Sequence, residues 1–287
     1  MRTTGANIAE RIRDSLNELT ASERRAAQIL LANYPVQGLE TVAKFAEQAG
    51  VSPPTILRFV NRLGFAGYSD FQRGLKGEVE AQLRSPLAKS DDVSILPPNS
   101  DAPHHDFARA VADNVLETFR HLPGAEIEAV VDLLADTRRP VHVLGGRFTD
   151  PLARYLTAHL RILRPSVTHM EGQPVNWRDQ LIDMGRRDIL VVFDIRRYQL
   201  NLAELAEAAS KRHVTVVLLT DQWLSPVAHN SRHVLPARIT VPSAWDSSAA
   251  LMVIVEALIA SVTTRRLVES RKRMADLERL REHGLID

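Results

Sequence analysis

The sequence predicts two domains of different class, an all-α N-terminal domain and a C-terminal α/β domain with a doubly wound parallel sheet. Up to about residue 83, apolar residues recur at the three- and four-residue spacing of helices. From about residue 106, short apolar runs alternate with helical segments, as in a parallel sheet covered by helices. Residues 84–105 are rich in Pro, Ser and Asp and lack a sustained period. We therefore expect domains at 1–83 and 106–287, joined by a linker at 84–105.

The composition excludes several classes of protein and site. There are 36 Lys and Arg residues against 35 Asp and Glu, so the net charge of +1 gives no information about partners. Any contact with nucleic acid must come from a local basic patch. The absence of cysteine excludes disulfides, thiol nucleophiles and Cys-based zinc sites. The paired His104 and His105 could suggest a metal, but no carboxylate–His spacing typical of a metal site accompanies them, so we expect neither a metal nor a cofactor.

No segment has the pattern of a signal peptide or a membrane span. The N-terminus lacks an apolar core, and the longest apolar run, residues 249–260, is interrupted by Glu256 and is too short to cross a bilayer. We expect a cytoplasmic protein without membrane contact.

The first helices follow from periodicity and capping residues. Residues 8–19 have apolar side chains at helical spacing. Thr20 or Ser22 can cap a second helix that runs to about Asn33, with Glu23 placed to complement its N-terminus. A third helix begins at Thr41, and Gly50 then supplies the positive φ of a turn.

A fourth helix follows this turn directly. Ser52 is placed to cap it, Pro53 occupies the first helical position, and Gly64 ends it. One side carries the apolar residues Ile56, Phe59, Val60 and Leu63. The opposite side carries Pro54, Thr55, Arg58, Asn61 and Arg62. A helix, a glycine turn and a capped second helix with a polar, basic outer side form the helix-turn-helix pattern.

This hairpin has two interpretations. It can be a plain packing unit, or its second helix can lie in a DNA groove. Between Ser52 and Lys76 there are four Lys or Arg residues and one acid, Asp70, so a basic patch lies within a neutral protein. Arg, Asn and Thr are also side chains that reach base edges and phosphates. The local charge favours DNA binding.

The same stretch resembles the N-terminal domain of the RpiR/MurR transcription regulators. The motif VSxxTxxRFxxxLGFxGYxxF is matched from Val51 to Phe71, and the resemblance extends over roughly residues 8–76. It implies that Tyr68 and Lys76 lie beyond the recognition helix, where they can hold the DNA backbone; packing for Tyr68 and a solvated face for Lys76 remain alternatives. The candidate DNA-binding residues are Ser52, Pro54, Thr55, Arg58, Asn61, Arg62, Tyr68 and Lys76.

The second domain reads as an alternation of strands and helices. The strands are expected at 141–146, 166–171, 188–195, 214–221 and 233–239, and the helices at 107–121, 125–134, 151–163, 177–184, 200–212 and 246–264. Asp246 or Ser247 can cap the last of these helices, and a charged amphipathic helix is expected in the tail, 265–287. The third and fourth strands are apolar at nearly every position, which is typical of a sheet covered on both faces.

Ligands of such sheets bind at the carboxyl ends of the strands, and two loops there contain candidate ligand-binding residues. The loop from Gly145 to Asp150 pairs two glycines with a helix N-terminus, which favours an anion. The loop from Asp194 to Gln199 brings two arginines to the neighbouring strand end. With Arg147 they can hold a carboxylate or phosphate while Asp194 binds an amine or hydroxyl; alternatively, Asp194 pairs with one arginine, or the arginines form a dimer contact. No G-x-G-x-x-G fingerprint is present, which argues against a dinucleotide. The candidate ligand-binding residues are Gly145, Gly146, Arg147, Thr149, Asp194, Arg196, Arg197 and Gln199.

This half resembles the SIS (sugar isomerase) domain over about residues 111–266, chiefly in its order of elements and at Thr220-Asp221 and Ser225-Pro226. The family's G-x-G-x-S loop falls on residues 145–149, with Arg147 at the second glycine and Thr149 at the serine. Its S-x-S-G-x-T loop falls on residues 194–199, where no hydroxyl is retained at the signature positions. Those hydroxyls ring a phosphate in the family, so their loss argues against an ordinary phosphosugar signal.

Together the two resemblances imply a transcription regulator that binds double-stranded DNA as a homodimer or a dimer of dimers. We expect control by a small anionic metabolite, with sugar derivatives among the candidates. One alternative is a DNA-binding protein whose SIS-like domain only dimerises. Another is a phosphosugar isomerase, for which Glu171, Asp194 and His169 are the acid–base candidates; no spacing ties them together, so we expect no catalytic residues.

Overall fold

A computed structural model describes residues 7–83, 85–90 and 103–282. The chain divides into two compact units. The first is Met1–Phe107 with the short segments Gln222–Leu224 and Val241–Trp245, and the second is Ala108–Asp221, Ser225–Thr240 and Asp246–Asp287.

Within the described residues, the N-terminal unit contains helices and no strands, as predicted. Its helices are α1 (Ile8–Ser15), α2 (Ala21–Ala32), α3 (Val36–Leu39), α4 (Val42–Ala49), α5 (Pro53–Arg62), α6 (Tyr68–Leu83) and α7 (Pro86–Ser90). The core of this unit is aliphatic and aromatic, with Ile12, Leu30, Phe45, Phe59 and Phe71 all fully buried.

The predicted start of α2 is confirmed by a reciprocal pair of hydrogen bonds. The Thr20 side chain accepts from the backbone N–H of Glu23, and the Glu23 carboxylate accepts from the N–H of Thr20 at 2.9 Å. This capping box satisfies two backbone donors that the helix itself leaves unpaired.

The predicted linker, 84–105, contains helical structure that the sequence analysis missed. Helix α7 lies within it, and α8 begins at Pro103, so that the exposed His104 and His105 belong to a helix. Both helices start with a proline, whose missing N–H costs nothing at that position. Ser85 supports the start of α7 by accepting from the backbone N–H of Ala88 at 3.0 Å. Residue 84 and residues 91–102 lie outside the described residues.

The second unit alternates strands and helices. Its helices are α8 (Pro103–His121, in this unit from Ala108 onward), α9 (Gly124–Ala135), α10 (Asp150–Leu163), α11 (Pro174–Leu181), α12 (Leu200–Lys211), α13 (Ala249–Arg265) and α14 (Leu267–Glu282). Its strands are β1 (Val141–Gly145), β2 (Val167–His169), β3 (Ile189–Asp194), β4 (Thr215–Asp221) and β5 (His233–Ala237), and a short 3-10 helix, Pro226–Asn230, follows β4.

The five strands form one parallel sheet in the order β2-β1-β3-β4-β5, which confirms the doubly wound prediction. Val141 pairs with Ile189, and Ile189 pairs with Thr215, so the central strands begin in register. Helices α11 and α12 pack on one face of the sheet, while α9, α10 and α13 pack together on the other. All six residues of β3 are buried, as its apolar sequence indicated.

This strand order has one point of reversal. The chain leaves β1 toward β2 on one side and reaches β3 on the other, so the strand order reverses between β1 and β3. Ligands of open α/β sheets commonly bind outside the carboxyl ends of the strands at such a point. We call the carboxyl ends of β1 and β3, with the loops that follow them, the switch-point edge.

The start of α13 differs from the prediction. The helix begins at Ala249 with Ser248 at its N-cap, and the Ser248 side chain makes no capping hydrogen bond. Ser247 instead accepts from the backbone N–H of Ala249 at 3.2 Å, while the Asp246 carboxylate accepts from Arg196. In the tail, α14 confirms the predicted helix over 267–282. None of the helices within the described ranges is long and apolar enough to cross a membrane.

Candidate functional site

The hairpin formed by α4 and α5 has the predicted geometry. The Thr41 side chain caps α4 by accepting from the N–H of Lys44 at 3.2 Å. Gly50 ends α4 at φ +61°, and the N–H of Val51 returns to the carbonyl of Ala46 at 2.9 Å. A residue in this left-handed conformation closes the helix and redirects the chain into α5.

Helix α5 has two distinct sides. Ile56, Phe59 and Val60 are fully buried, and Leu63 is 5% exposed. Pro54, Arg58, Asn61 and Arg62 are exposed, as expected for a side that faces a partner. Leu57, which the sequence analysis did not single out, is 41% exposed.

Thr55 does not lie on the exposed side, and that part of the prediction is wrong. Its side chain is 5% exposed, and its Oγ1 lies 2.9 Å from Ser52 Oγ and 3.2 Å from an Arg58 terminal nitrogen that donates to it. Ser52 sits at the N-cap of α5, but its hydroxyl contacts Thr55 rather than capping a backbone N–H. Thr55 thus orients Ser52 and Arg58 from beneath.

Arg62 is exposed but is held against the neighbouring helix. Its Nε lies 3.4 Å from Glu23 Oε1, and a terminal nitrogen donates to the carbonyl of Glu18 at 3.2 Å. Burial by itself would raise the pKa of Glu23, but hydrogen bonds from Thr20 and the Arg62 guanidinium bring it below its usual value. Arg62 therefore ties α5 to the start of α2.

The two candidates beyond α5 differ in their surroundings. The Tyr68 hydroxyl donates to the carbonyl of Glu40 at 2.9 Å, and burial together with the charge of Glu40 raises its pKa to about 12. These contacts match the packing alternative for Tyr68. Lys76 is exposed on α6.

At the switch-point edge, hydrogen bonds join the loop after β1 to the loop after β3. The N–H of Gly146 and the hydroxyl of Thr149 both donate to the carbonyl of Phe193, at 2.9 and 2.8 Å. The N–H of Arg147 donates to the Gln199 side-chain oxygen at 2.8 Å. Thr149, expected to contact a ligand, is 1% exposed and serves this connection instead.

The two glycines of the first loop lie in close packing within the protein. A Cβ on Gly145 would lie 2.6 Å from the backbone nitrogen of Asp150, which no ordinary side chain allows. A Cβ on Gly146 would lie 2.6 Å from Gln199 Oε1, so the Gln199 side chain would have to move away from the Arg147 N–H. The glycines allow the loops to approach each other, where the sequence analysis expected them to admit a ligand.

Asp194, at the end of β3, is buried within this connection. Its carboxyl accepts from the Ser225 hydroxyl at 2.5 Å and from the N–H of Gln199 at 3.4 Å, and the residue is 2% exposed. Burial raises the pKa of Asp194 to about 7, and the nearby charge of Asp221 acts in the same direction. Asp194 is therefore poised to change charge near neutral pH.

Arg196 pairs with an acid that the sequence analysis had assigned to a helix cap. Its Nε donates to Asp246 Oδ2 at 2.7 Å, and a terminal nitrogen donates to the other oxygen, which makes the pair bidentate. Its backbone N–H donates to Asp221 at 2.6 Å, and the Tyr198 hydroxyl donates to the same carboxylate at 2.8 Å. Arg196 is therefore paired within the protein, with Asp246 in place of Asp194 as the partner, and this pairing argues against ligand recognition by Arg196.

Two of the predicted ligand-binding side chains remain exposed at this edge, Arg147 and Arg197. The Arg147 guanidinium lies over the ring of Phe148, 5.1 Å from its centroid, and Phe148 is itself 55% exposed. The accessible part of the edge therefore combines two cations with an aromatic ring.

Comparison with known proteins identifies both halves of the chain. Residues 6–82 match the helix-turn-helix domain of the rpiR family, and residues 133–261 match the SIS domain. The HTH-type transcriptional regulator HexR of Pseudomonas aeruginosa is 25% identical, over 92% of this chain and 91% of its own length. The chain is an RpiR-type regulator.

Two solved structures share the fold of this RpiR-type regulator. The sugar isomerase domain of the RpiR transcription factor from Sphaerobacter thermophilus superposes with a TM-score of 0.57 at 23% identity, over 63% of this chain and all of that chain. The Vibrio vulnificus NanR protein, solved in complex with ManNAc-6P, gives a TM-score of 0.53 at 19% identity, over 96% and 98% of the two chains.

Two of the three acid–base candidates of the isomerase alternative lie together in this RpiR-type regulator, since His169 Nδ1 is 3.5 Å from Glu171 Oε1, but Asp194 is not part of this pair. His169 Nε2 lies 2.8 Å from Asp150 Oδ1, and an Arg154 nitrogen donates to Glu171 at 3.2 Å. Asp194 is bonded instead to Ser225 and Gln199. Among the described residues, no group of three or more His, Asp or Glu side chains could hold a metal ion.

The most informative residue that the sequence analysis misassigned is Asp246. It lies 50 positions from Arg196, in a loop without a local pattern, so no spacing could have revealed the pair. Ser225 had a signal, because the Ser225-Pro226 segment matched the SIS family, but its bond to Asp194 depends on two neighbouring strand ends.

Proposed function

We propose that this RpiR-type regulator binds double-stranded DNA through the exposed side of α5 and responds to a small anionic metabolite at the switch-point edge. The observation that carries the proposal is the α4–Gly50–α5 hairpin, which buries one side of α5 and exposes Arg58 and Asn61 on the other. Arginine and asparagine form the bidentate contacts with guanine and adenine that read a sequence.

The charges on α5 and α6 support a division of roles on DNA. Arg58 is exposed and positioned by Thr55, so it is suited to a base edge. Arg62 is tied to Glu23 and reaches a phosphate only by leaving that carboxylate. Lys76 is exposed on α6 and suits a backbone contact. A DNA partner also supports the predicted cytoplasmic location.

The effector proposal depends on Arg147 and Arg197. The N–H of Arg147 now donates to the neutral side-chain oxygen of Gln199, and an anion could displace that acceptor because charge-assisted hydrogen bonds are the stronger ones. The two exposed guanidiniums then add ionic contacts. NanR, which shares the fold, was solved with the phosphosugar ManNAc-6P, so sugar phosphates and sugar acids are the first ligands to test.

We further propose that the chain acts as a homodimer or a dimer of dimers, with contacts through the second unit. Large apolar side chains are exposed on its helices, among them Leu116 on α8 and Val268 and Leu280 on α14, at 50–78% of their area. Dimers suit two-fold half-sites, the usual target of helix-turn-helix proteins.

A second candidate function is that the SIS-like unit dimerises and binds no effector. The observation in its favour is that Thr149, Asp194, Arg196 and Gln199 all find their hydrogen-bond partners within the protein. Effector titrations distinguish the two candidates.

The DNA proposal is tested with Arg58→Ala and Lys76→Ala in the full-length protein, after binding sites have been selected from genomic fragments. Arg58→Ala should cost about 1–3 kcal/mol on the selected site and relax base preference there. Lys76→Ala should weaken binding to all sequences and lower the salt slope by about one unit. Unchanged discrimination by the Arg58→Ala protein would refute the role of that residue.

The effector proposal is tested by calorimetric titration of the full-length protein with sugar phosphates and sugar acids. The double variant Arg147→Gln/Arg197→Gln should lose about tenfold or more in affinity for the ligand found. The matched control is Arg271→Gln/Lys272→Gln on α14, which removes the same charge from two exposed residues. If no such ligand binds the wild-type protein, the dimerisation candidate replaces the sensor.

A further inference from the structure

A second basic site lies at the amino edge of the same sheet, on the side opposite the switch-point edge. The loop before β1 contains Arg138 and Arg139, and the loop before β3 contains Arg186 and Arg187. Because β1 and β3 are parallel neighbours in register, their leading loops lie side by side. Together with Asp136, these four arginines line a cavity of about 360 Å³.

The framework of this cavity is fixed by other arginine contacts. Arg139 joins the two loops, because its Nε donates to the carbonyl of Arg187 at 3.0 Å and a terminal nitrogen donates to Thr215 Oγ1 at 2.7 Å. Arg164, fully buried, donates to the carbonyls of Leu134 and Arg139. Arg212 donates to the carbonyls of Met184 and Ile182. The loops are thus preorganised.

The charge in the cavity is poorly balanced. Asp136 is engaged by Arg138, whose Nε and terminal nitrogen donate to its two oxygens at 2.8 and 2.9 Å. Those hydrogen bonds lower the pKa of Asp136 to about 2. Asp188, in the same loop as Arg186 and Arg187, is bonded to His142 and to the N–H of Gly185.

Arg186 and Arg187 have no such structural task. Both are exposed, and within residues 7–83, 85–90 and 103–282 neither guanidinium forms an ion pair or a hydrogen bond. Like charges repel, so the fold gains nothing from placing these cations beside Arg138 and Arg139. Guanidinium groups recognise phosphate and carboxylate oxygens by paired hydrogen bonds.

We propose that this cavity binds a small multivalent anion, such as a diphosphate group, through Arg186 and Arg187 with support from Arg138 and Arg139. Its volume lies in the range of small-molecule sites, which favours a small ligand over the phosphate row of a DNA duplex. The site is separate from the proposed effector site, because the two occupy opposite ends of the strands.

Calorimetry of the full-length protein with inorganic pyrophosphate and, separately, orthophosphate tests the proposal. We expect saturable binding of pyrophosphate, about tenfold or more tighter than that of orthophosphate. Arg186→Gln/Arg187→Gln should weaken pyrophosphate binding by about tenfold or more. The control Arg271→Gln/Lys272→Gln removes the same charge on α14 and should stay within about twofold.

The pyrophosphate binding that depends on Arg186 and Arg187 should persist in the effector-edge variant Arg147→Gln/Arg197→Gln, so failure of the effector proposal leaves this result unaffected. Should the double variant Arg186→Gln/Arg187→Gln melt at a lower temperature, the single variant Arg186→Gln takes its place. If the α14 control weakened pyrophosphate binding equally, the effect would come from the change in net charge alone, and the proposal would be overturned. The absence of saturable pyrophosphate binding would overturn the proposal too. So would an Arg186→Gln/Arg187→Gln protein that binds pyrophosphate like wild type and has lost only affinity for non-specific duplex DNA.

Discussion

Asp194 closes the end of β3 with a carboxyl that is buried and yet titrates near neutrality. It accepts hydrogen bonds from Ser225 and Gln199, but the loss of hydration and the nearby Asp221 favour its neutral form. Its folded pKa of about 7 lies above the ordinary value of 3.8. Between pH 3.8 and about pH 7, the Asp194 carboxyl is therefore protonated to a greater extent in the folded protein than in the unfolded chain.

The pH dependence of stability follows from this difference. The contribution of Asp194 is fully present below about pH 4 and is lost as the pH rises through about 7, with a slope of at most about 1.4 kcal/mol per pH unit for one proton. Asp194→Asn should remove this component, and the variant should be more stable than wild type at pH 8. Urea denaturation at several pH values measures both effects.

The control for this measurement is Asp183→Asn, which removes an exposed carboxylate of the same unit and should leave the pH profile unchanged. A wild-type slope that persists in the Asp194→Asn protein would contradict the assignment.

At the scale of elements, the hairpin of α4 and α5 depends on one backbone conformation. Gly50 has φ +61°, and an added Cβ would meet no atom within 4 Å. The cost of a side chain there comes from the backbone conformation and not from a clash. Gly67 provides the contrast, since it also has open space around its Cβ position but does not have a positive φ.

We expect Gly50→Ala to destabilise the N-terminal unit by roughly 1 kcal/mol. Gly67→Ala should change stability by about 0.5 kcal/mol or less. Thermal or urea unfolding of the two variants compares them directly. Equal effects would mean that the turn tolerates a side chain and that its glycine has another role.

At the scale of the whole molecule, the proposed effector can act on DNA binding only by shifting an equilibrium between two states of the protein. An effector that binds one state better changes that equilibrium only by its difference in affinity between the states. Arg147 and Arg197 are the exposed cations at the edge where this difference would arise. The coupling between effector and DNA must be reciprocal.

The effector should therefore change DNA affinity by the same factor by which DNA changes effector affinity, typically about 5–150-fold. Fluorescence anisotropy with and without effector gives the first factor, and effector titration of the free protein and of the DNA complex gives the second. Effector binding that leaves DNA affinity unchanged in both experiments would remove the regulatory link.

The sequence by itself determined the fold class, the α4–α5 hairpin and the carboxyl edge of the sheet, because those depend on local rules. Helical periodicity, the glycine at position 50 and the proline at position 53 specify the hairpin within about twenty residues. The apolar runs of β3 and β4 specify a covered parallel sheet, and its carboxyl edge then follows. The motif from Val51 to Phe71 indicated the RpiR family.

Only the tertiary structure decided which polar side chains are available for a ligand. Arg196 was predicted to contact a ligand, but the fold pairs it with Asp246, which lies 50 positions away in the sequence. Thr55 was predicted to be exposed, but it lies on the buried side of α5. Sequence patterns extend over a few residues, whereas a charged group takes whichever partner the loops of the sheet place beside it. The physical reason is that burial removes water, so each buried polar atom must find a partner within the protein, and topology supplies that partner.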